Sequence, residues 1–120
     1  MKKTINFKTK FNKFSDYWSP KVIAKMNNYQ FKLVKTKGDF IYHNHDKTDE
    51  VFIVIEGKLN IEFSDKTVEI NSGEMIVVPK GEMHRPYSKN ECKIMLVEPR
   101  DVINTGDAGG KLTAPNNQWI

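Results

Sequence analysis

The sequence predicts an all-β sandwich or barrel preceded by one short helix, and three observations carry that reading. From residue 39 to residue 98 the chain alternates short apolar stretches with turn signals. The stretches fall at residues 40–45, 51–55, 59–63, 68–70, 75–78 and 94–97, separated by runs such as Asn71-Ser72-Gly73, Pro79-Lys80-Gly81 and Ser88-Lys89-Asn90. Regular short strands with Gly, Asn and Asp turns fit an antiparallel sandwich or barrel. Near the N-terminus the spacing changes: Phe7, Phe11, Phe14 and Trp18 fall at intervals of four, three and four, which lines one helical face. Finally, 120 residues that are 38% hydrophobic suffice for one core without covalent staples, and the single Cys, Cys92, forbids an intrachain disulfide.

Taken in order, residues 6–18 predict a short amphipathic helix with Asn6 as its cap. Its aromatic stripe reads as a seal on the core, not a cofactor box. Residues 21–37 admit two readings. Ser19-Pro20 could cap a second helix through Val22, Ile23 and Met26, whereas residues 21–26 and 29–35 read as a hairpin around Asn27-Asn28. The hairpin is preferred, because Asn tolerates positive φ and residues 31–35 are strand-like. Residues 99–120, with Gly106, Gly109, Gly110 and Pro115, predict an irregular arm pinned at its end by Trp119 and Ile120, on the barrel or on a partner chain. The chain thus divides into an extension (1–20), a β-domain (21–98) and an arm (99–120).

Charge is unevenly spread. Residues 1–37 hold ten Lys against Asp16 alone, and the rest of the chain is net acidic, within an overall balance of +4. Such a basic third can attract an anion or an acidic patch on a second copy. Nucleic acid is not the expected partner, since Arg85 and Arg100 are the only arginines and bidentate readers are lacking. The longest pure apolar run, Val51 to Ile55, is far too short to span a bilayer. No apolar leader follows Met1-Lys2-Lys3, so a cytoplasmic protein is expected.

All three histidines fall in one pattern. His43 and His45 share a face if their segment is a strand, with Ile41 on that same inward side. Glu50 opens the next strand and returns toward them, and His84 follows the rigid turn at Pro79-Lys80-Gly81. Three imidazoles and a carboxylate suit a divalent transition metal (Mn, Fe, Co, Ni, Cu or Zn), and four ligands on an octahedral ion leave two positions open. Phe52 and Val54 share the parity of Glu50 and line the pocket. Tyr42, Arg85 and Tyr87 alternate outward. Cys92 reads as a small buried hydrophobe, and Gly109-Gly110 lacks the strand, helix and Lys-Ser/Thr context of a phosphate loop. No general acid or base is assigned; Glu98 and Tyr29 are weak candidates.

The spacing Gly38-x4-His43-x-His45-x4-Glu50-x6-Gly57, followed by Gly73-x5-Pro79-x-Gly81-x2-His84, resembles the two motifs of the cupins. Gly38 stands one residue closer to His43 than in the usual pattern, and Ser88 occupies a position where Asn is common. The resemblance implies a double-stranded β-helix, or jelly-roll, with metal ligands His43, His45, Glu50 and His84. Trp18-Ser19-Pro20-Lys21-Val22 and Asn104-Thr105-Gly106-Asp107 are similar to segments of small bacterial cupins of the mannose-6-phosphate isomerase-like kind.

The function this implies is a metal-dependent isomerase- or oxygenase-type enzyme acting on a small polar metabolite such as a sugar phosphate. The alternative is a non-catalytic module that binds or senses a small ligand through the ion. An inward proton carrier favours the enzyme, and a sealed apolar pocket without one favours the module. A phosphosugar would also need an inward cation, so Lys32 or Lys35 pointing outward would count against it. Exposed strand edges predict a homodimer.

Overall fold

The computed structural model describes residues 2–120. Helix α1 (Phe7–Phe11) is followed by strands β1 (Lys21–Met26), β2 (Tyr29–Asp39), β3 (Glu50–Glu56), β4 (Lys58–Phe63), β5 (Thr67–Asn71), β6 (Met75–Val78) and β7 (His84–Pro99). All strand pairs are antiparallel. The long β7 is the hub: its first residues pair with β4, its later ones with β3, and most of its length with β2. All seven strands thus form one continuous sheet, in the order β1-β2-β7-β3-β6 with β4 and β5 joined through the start of β7, folded into a small jelly-roll. Inside lie Val34, Phe52, Val54, Leu59, Ile61, Phe63, Ile70, Val78, Cys92, Ile94 and Leu96. No helix among the described residues is long and apolar enough to cross a membrane.

The helix is shorter than its aromatic stripe. Asn6 caps it by accepting from the Thr9 amide at 2.9 Å, but the turns end at Phe11. Trp18 instead adopts a left-handed φ of 60°, and its amide donates to the Lys35 carbonyl at 2.8 Å. That bond draws the chain off the outer face and stacks the indole on Phe40, with ring centroids 4.9 Å apart. The 21–37 segment is a hairpin, with Asn27 at φ 55° in the turn.

Two other segments depart from expectation. Residues 40–45 form no strand, only a single bridge between His43 and His84. His43 and His84 exchange both backbone bonds, so the next ladder bonds would join residue 41 to residue 86. Pro86 has no N–H to give, and the ladder stops there. Phe40 rather than Ile41 then takes the interior position: Phe40 is buried and Ile41 only half-buried. The other departure is Ser88-Lys89-Asn90, which is not a turn. β7 runs through it as a bulge, with Ser88 paired to Gly38 and Cys92 to Thr36, so its exposed residues 89–91 outnumber those opposite.

The outer face of the β2-β7-β3-β6 layer carries two apolar rows, Phe31–Val97–Val51–Val77 and Leu33–Met95–Ile53–Met75. Phe11 of α1 and Phe14 just beyond it, with Ile120, pack on the part around Leu33 and Met95. At the β6 edge Met75 and Val77 stand exposed. The C-terminal arm is pinned to β1 by a parallel bridge between Val22 and Trp119 and by the Ile120 amide on the Val22 carbonyl at 3.1 Å.

Candidate metal centre

The four side chains picked out by spacing, His43, His45, Glu50 and His84, converge from three parts of the chain. Glu50 opens β3, His84 opens β7, and the two other histidines sit on the irregular segment between β2 and β3. All four are buried, and one donor atom from each lies within 4.8 Å of the others. His45 Nε2 and His84 Nε2 stand 3.6 and 3.5 Å from Glu50 Oε1.

Backbone carbonyls fix two of the rings. His43 Nδ1 lies 3.0 Å from the Ile41 carbonyl and His84 Nδ1 lies 2.8 Å from that of Glu82. A carbonyl can only accept, so Nδ1 carries the proton and Nε2 keeps a free lone pair. The Ile41 carbonyl is the acceptor that Pro86 leaves unused, which makes the broken ladder part of the site. The 40–45 segment forms no regular strand, yet His43 is oriented by that irregularity.

Burial pushes all three imidazoles toward the neutral form. His43 is lowered from 6.5 to about 4, by burial first and then by the charge of His84. His45 and His84 shift the same way, again chiefly through burial. Neutral imidazole is the form that binds a metal. His45 Nε2, His84 Nε2 and Glu50 Oε1 are moreover buried without a hydrogen-bond partner. Leaving such atoms unsatisfied is costly, unless they share a ligand. An ion with bonds of about 2.0–2.2 Å sets its donors no more than about 4.4 Å apart. Inward shifts of a few tenths of an ångström would seat all four donors, so nitrogen and oxygen chemistry and spacing both fit a divalent transition metal.

Two further groups were not picked out by the motifs. Lys32 and Glu98, 2% and 1% exposed, form an ion pair at 3.0 Å inside the barrel. Glu98 lies against Glu50, and burial followed by the Glu50 charge raises its carboxyl well above the usual range. Two carboxylates in contact repel when both are ionised, which favours a shared proton, while the Lys32 ammonium opposes that push on Glu98. The signal for both was strand parity: Glu98 follows Ile94 and Leu96 inward, and Lys32 precedes Val34.

An apolar cavity of about 30 Å³ opens beside His43 and Glu50, walled by Trp18, Phe40, Phe52, Pro86 and Leu96. That volume is the size of one or two waters. On the far side, His45 borders a more polar groove closed by the arm at Asp101 to Asp107. Gly106 is central there, since at φ 57° an added Cβ would overlap the Asn44 carbonyl oxygen. Of the remaining sequence expectations, Phe52 lines the cavity while Val54 lies in the core. Ser88 points inward and bonds Thr36 Oγ1 at 2.8 Å. Tyr42 is exposed, and Arg85 lies over the Tyr87 ring while holding Glu62 and Asp39. Cys92 is buried, its thiol pushed up to about 11 by burial, which suits a hydrophobe and not a nucleophile. Tyr29 is exposed on the hairpin, away from the cluster's interior.

Residues 31–98 match the family described as Cupin domain. The chain is a cupin. Among curated proteins it is 35% identical over 77 residues to the uncharacterized protein YdbB of Bacillus subtilis (strain 168), covering 63% of this chain and 68% of that one. Among solved structures it resembles a cupin-2 domain containing protein from Shewanella frigidimarina NCIMB 400, with 58% identity and a TM-score of 0.79 over 80% of this cupin and 94% of that chain. NMB1881 from Neisseria meningitidis is 39% identical, with a TM-score of 0.75 over 81% of this cupin and 99% of that chain. The matched region spans β2 to β7 and contains every side chain of the metal cluster.

Proposed function

We propose that this cupin is a metal-dependent enzyme acting on a small ligand that presents an oxygen to the ion from the apolar cavity. The convergence of unpartnered His45 Nε2, His84 Nε2 and Glu50 Oε1 on one buried point carries the reading. A divalent ion held by His43, His45, Glu50 and His84 would supply Lewis-acid or redox chemistry at its open positions. The protein's own part is more specific. Trp18, Phe40 and Phe52 exclude water and strengthen electrostatics at the ligands. The Nδ1 bonds of His43 and His84 hold the rings in register. Glu98 Oε2, buried and unpartnered beside Glu50, is the atom placed to hold a proton or pass it to a bound oxygen.

A sugar phosphate, the class that the likeness to mannose-6-phosphate isomerase-like cupins suggests, fits this cavity less well. Lys32 points inward but is paired with Glu98, and Lys35 turns outward to the Phe14 carbonyl at 2.6 Å. The cavity favours an uncharged ligand, or dioxygen. Non-catalytic binding is the second reading, favoured by the small apolar volume.

The distinguishing experiment loads metal-depleted protein with Fe(II), Mn(II), Ni(II) or Zn(II) and compares wild type with Glu98→Gln. An enzyme turns over a small oxygen-bearing substrate in at least one metal form, and Glu98→Gln loses turnover while retaining metal. Ligand binding without turnover, equal in the two proteins, supports the binding module.

The bare half of the outer face fits a second copy of this chain. Its apolar rows end at Met75 and Val77 on the short edge strand β6, preceded by the acidic Glu74, whereas the covered half carries Lys8 and Lys13 around α1. A two-fold pairing of bare halves buries the rows and lets lysines of one copy face Glu74 of the other. A cytoplasmic homodimer follows as part of the proposal.

A further inference from the structure

The β1–β2 hairpin and the C-terminal arm enclose a second cleft of about 280 Å³, formed by residues outside the metal cluster. Trp119 and Tyr29 line it with large exposed aromatic surface, 52% and 45%. Gln30, only 5% exposed, donates from Nε2 to Asn117 Oδ1 at 2.8 Å, while its Oε1 is buried with no partner. A buried amide oxygen left unpaired in an otherwise well-bonded region is expensive, and a ligand hydroxyl would satisfy it.

The backbone around the cleft turns sharply. Asn27, Asp101 and Asn117 have φ of 55°, 69° and 60°, so three of the four non-glycine left-handed residues among those described border it. Asn and Asp adopt this conformation readily, so these turns shape the rim of the cleft at little cost. The Arg100 amide ties the rim to the Asn28 carbonyl at 2.9 Å. Charge is unbalanced: Arg100 has Asp101 beside it at 3.7 Å, but Lys25 has no ion pair among the described residues.

We propose that this cleft binds a monosaccharide-sized polyhydroxylated ring bearing one anionic group. A sugar's apolar C–H face suits the exposed Trp119 and Tyr29 rings, which are large and polar only at one tip. Its hydroxyls both donate and accept, matching the mixed donors and acceptors of Asn27, Gln30 and Asn117. Lys25 supplies the unbalanced positive charge for the acidic group. The site is independent of the metal: its lining meets that of the groove at His45 only at Asp101.

Titration calorimetry on the full chain tests this with glucose 6-phosphate and glucuronate as probes, and with glucose and inorganic phosphate as controls. The expected result is saturable binding of at least one acidic sugar with a Kd of about 1 mM or below. Glucose and phosphate each bind about tenfold more weakly, and Trp119→Ala and Lys25→Ala each weaken binding about tenfold with unchanged circular dichroism. Which acidic sugar binds assigns the carboxylate or the phosphate form. Binding that survives chelator treatment and weakens in both variants belongs to this cleft, whereas binding lost with the metal overturns the proposal. So does the absence of saturation at about 10 mM of either acidic sugar, phosphate binding as tightly as the sugars, or indifference to both substitutions.

Discussion

Replacing Lys32 by Met tests how the barrel interior tolerates its charges. The Lys32 and Glu98 side chains are 2% and 1% exposed and meet at 3.0 Å. Removing the ammonium leaves Glu98 against Glu50 with no counter-charge. Breaking one partner of a buried pair costs about 3–5 kcal/mol. Glu98 relieves part of this by protonating, a direction in which burial and Glu50 already push it. The expected loss is therefore near the lower end, about 3 kcal/mol. It grows as pH rises above the unfolded value of 4.5, because a carboxyl raised in the folded state is penalised once solution conditions favour ionisation. With an m-value of about 1.5 kcal/mol/M, the urea midpoint of chelator-treated protein falls by about 2 M. The double variant Lys32→Met/Glu98→Met recovers to within about 1 kcal/mol of wild type, since both partners are then apolar and of similar length. A single variant that shifts the midpoint by less than about 0.5 M, or a double variant no better than the single, refutes the reasoning.

Other outcomes follow from the same interior. His43 is lowered from 6.5 to about 4, so metal-free protein has its full histidine contribution above pH 6.5 and loses it as pH falls toward 4, about 3 kcal/mol for His43. Thermal melts between those pH values show the decline, and His43→Gln flattens it. Gly106→Ala forces a Cβ into the Asn44 carbonyl at a left-handed φ and is expected to cost about 2–4 kcal/mol; melting temperature and metal affinity report it together. Light scattering is expected to give twice the 13.9 kDa chain mass, and Met75→Glu/Val77→Glu to give the monomer at micromolar concentration while remaining folded.

Much of this architecture was legible in the residues because turn chemistry is local. Asn27-Asn28, Gly57, Gly73 and Gly81 all fall in turns or at strand ends, and β3 to β6 begin and end within about two residues of where alternation places them. Non-local effects were hidden. Pro86 stops a ladder forty-odd residues away in sequence, which is why residues 40–45 form no strand although they look like one. The Ser88-Lys89-Asn90 signal is a bulge because β2, β3 and β4 all hold β7 in place on either side of it. Trp18 left the helix because the Lys35 carbonyl on β2 captures its amide.

At the site, the metal-type residues were visible through spacing, but the direction of each lone pair was not. Carbonyls of Ile41 and Glu82 set those directions, and carbonyls leave no mark in a sequence. Lys32 was obscured, and Glu98 stood out only as a weak candidate, for another reason. Charged residues on strands are ordinarily solvated, and only the register that sets Lys32 beside Leu96 and Gln30 beside Glu98 shows that the two meet inside.

The central claim is that His43, His45, Glu50 and His84 hold one divalent metal. Elemental analysis of protein purified without added metal, then of the same protein after reconstitution, tests it most directly. Wild type is expected to hold about one equivalent of transition metal per chain, and His43→Ala and His84→Ala to lose at least tenfold in affinity. Wild-type protein that stays folded yet takes up no metal even after reconstitution would contradict it.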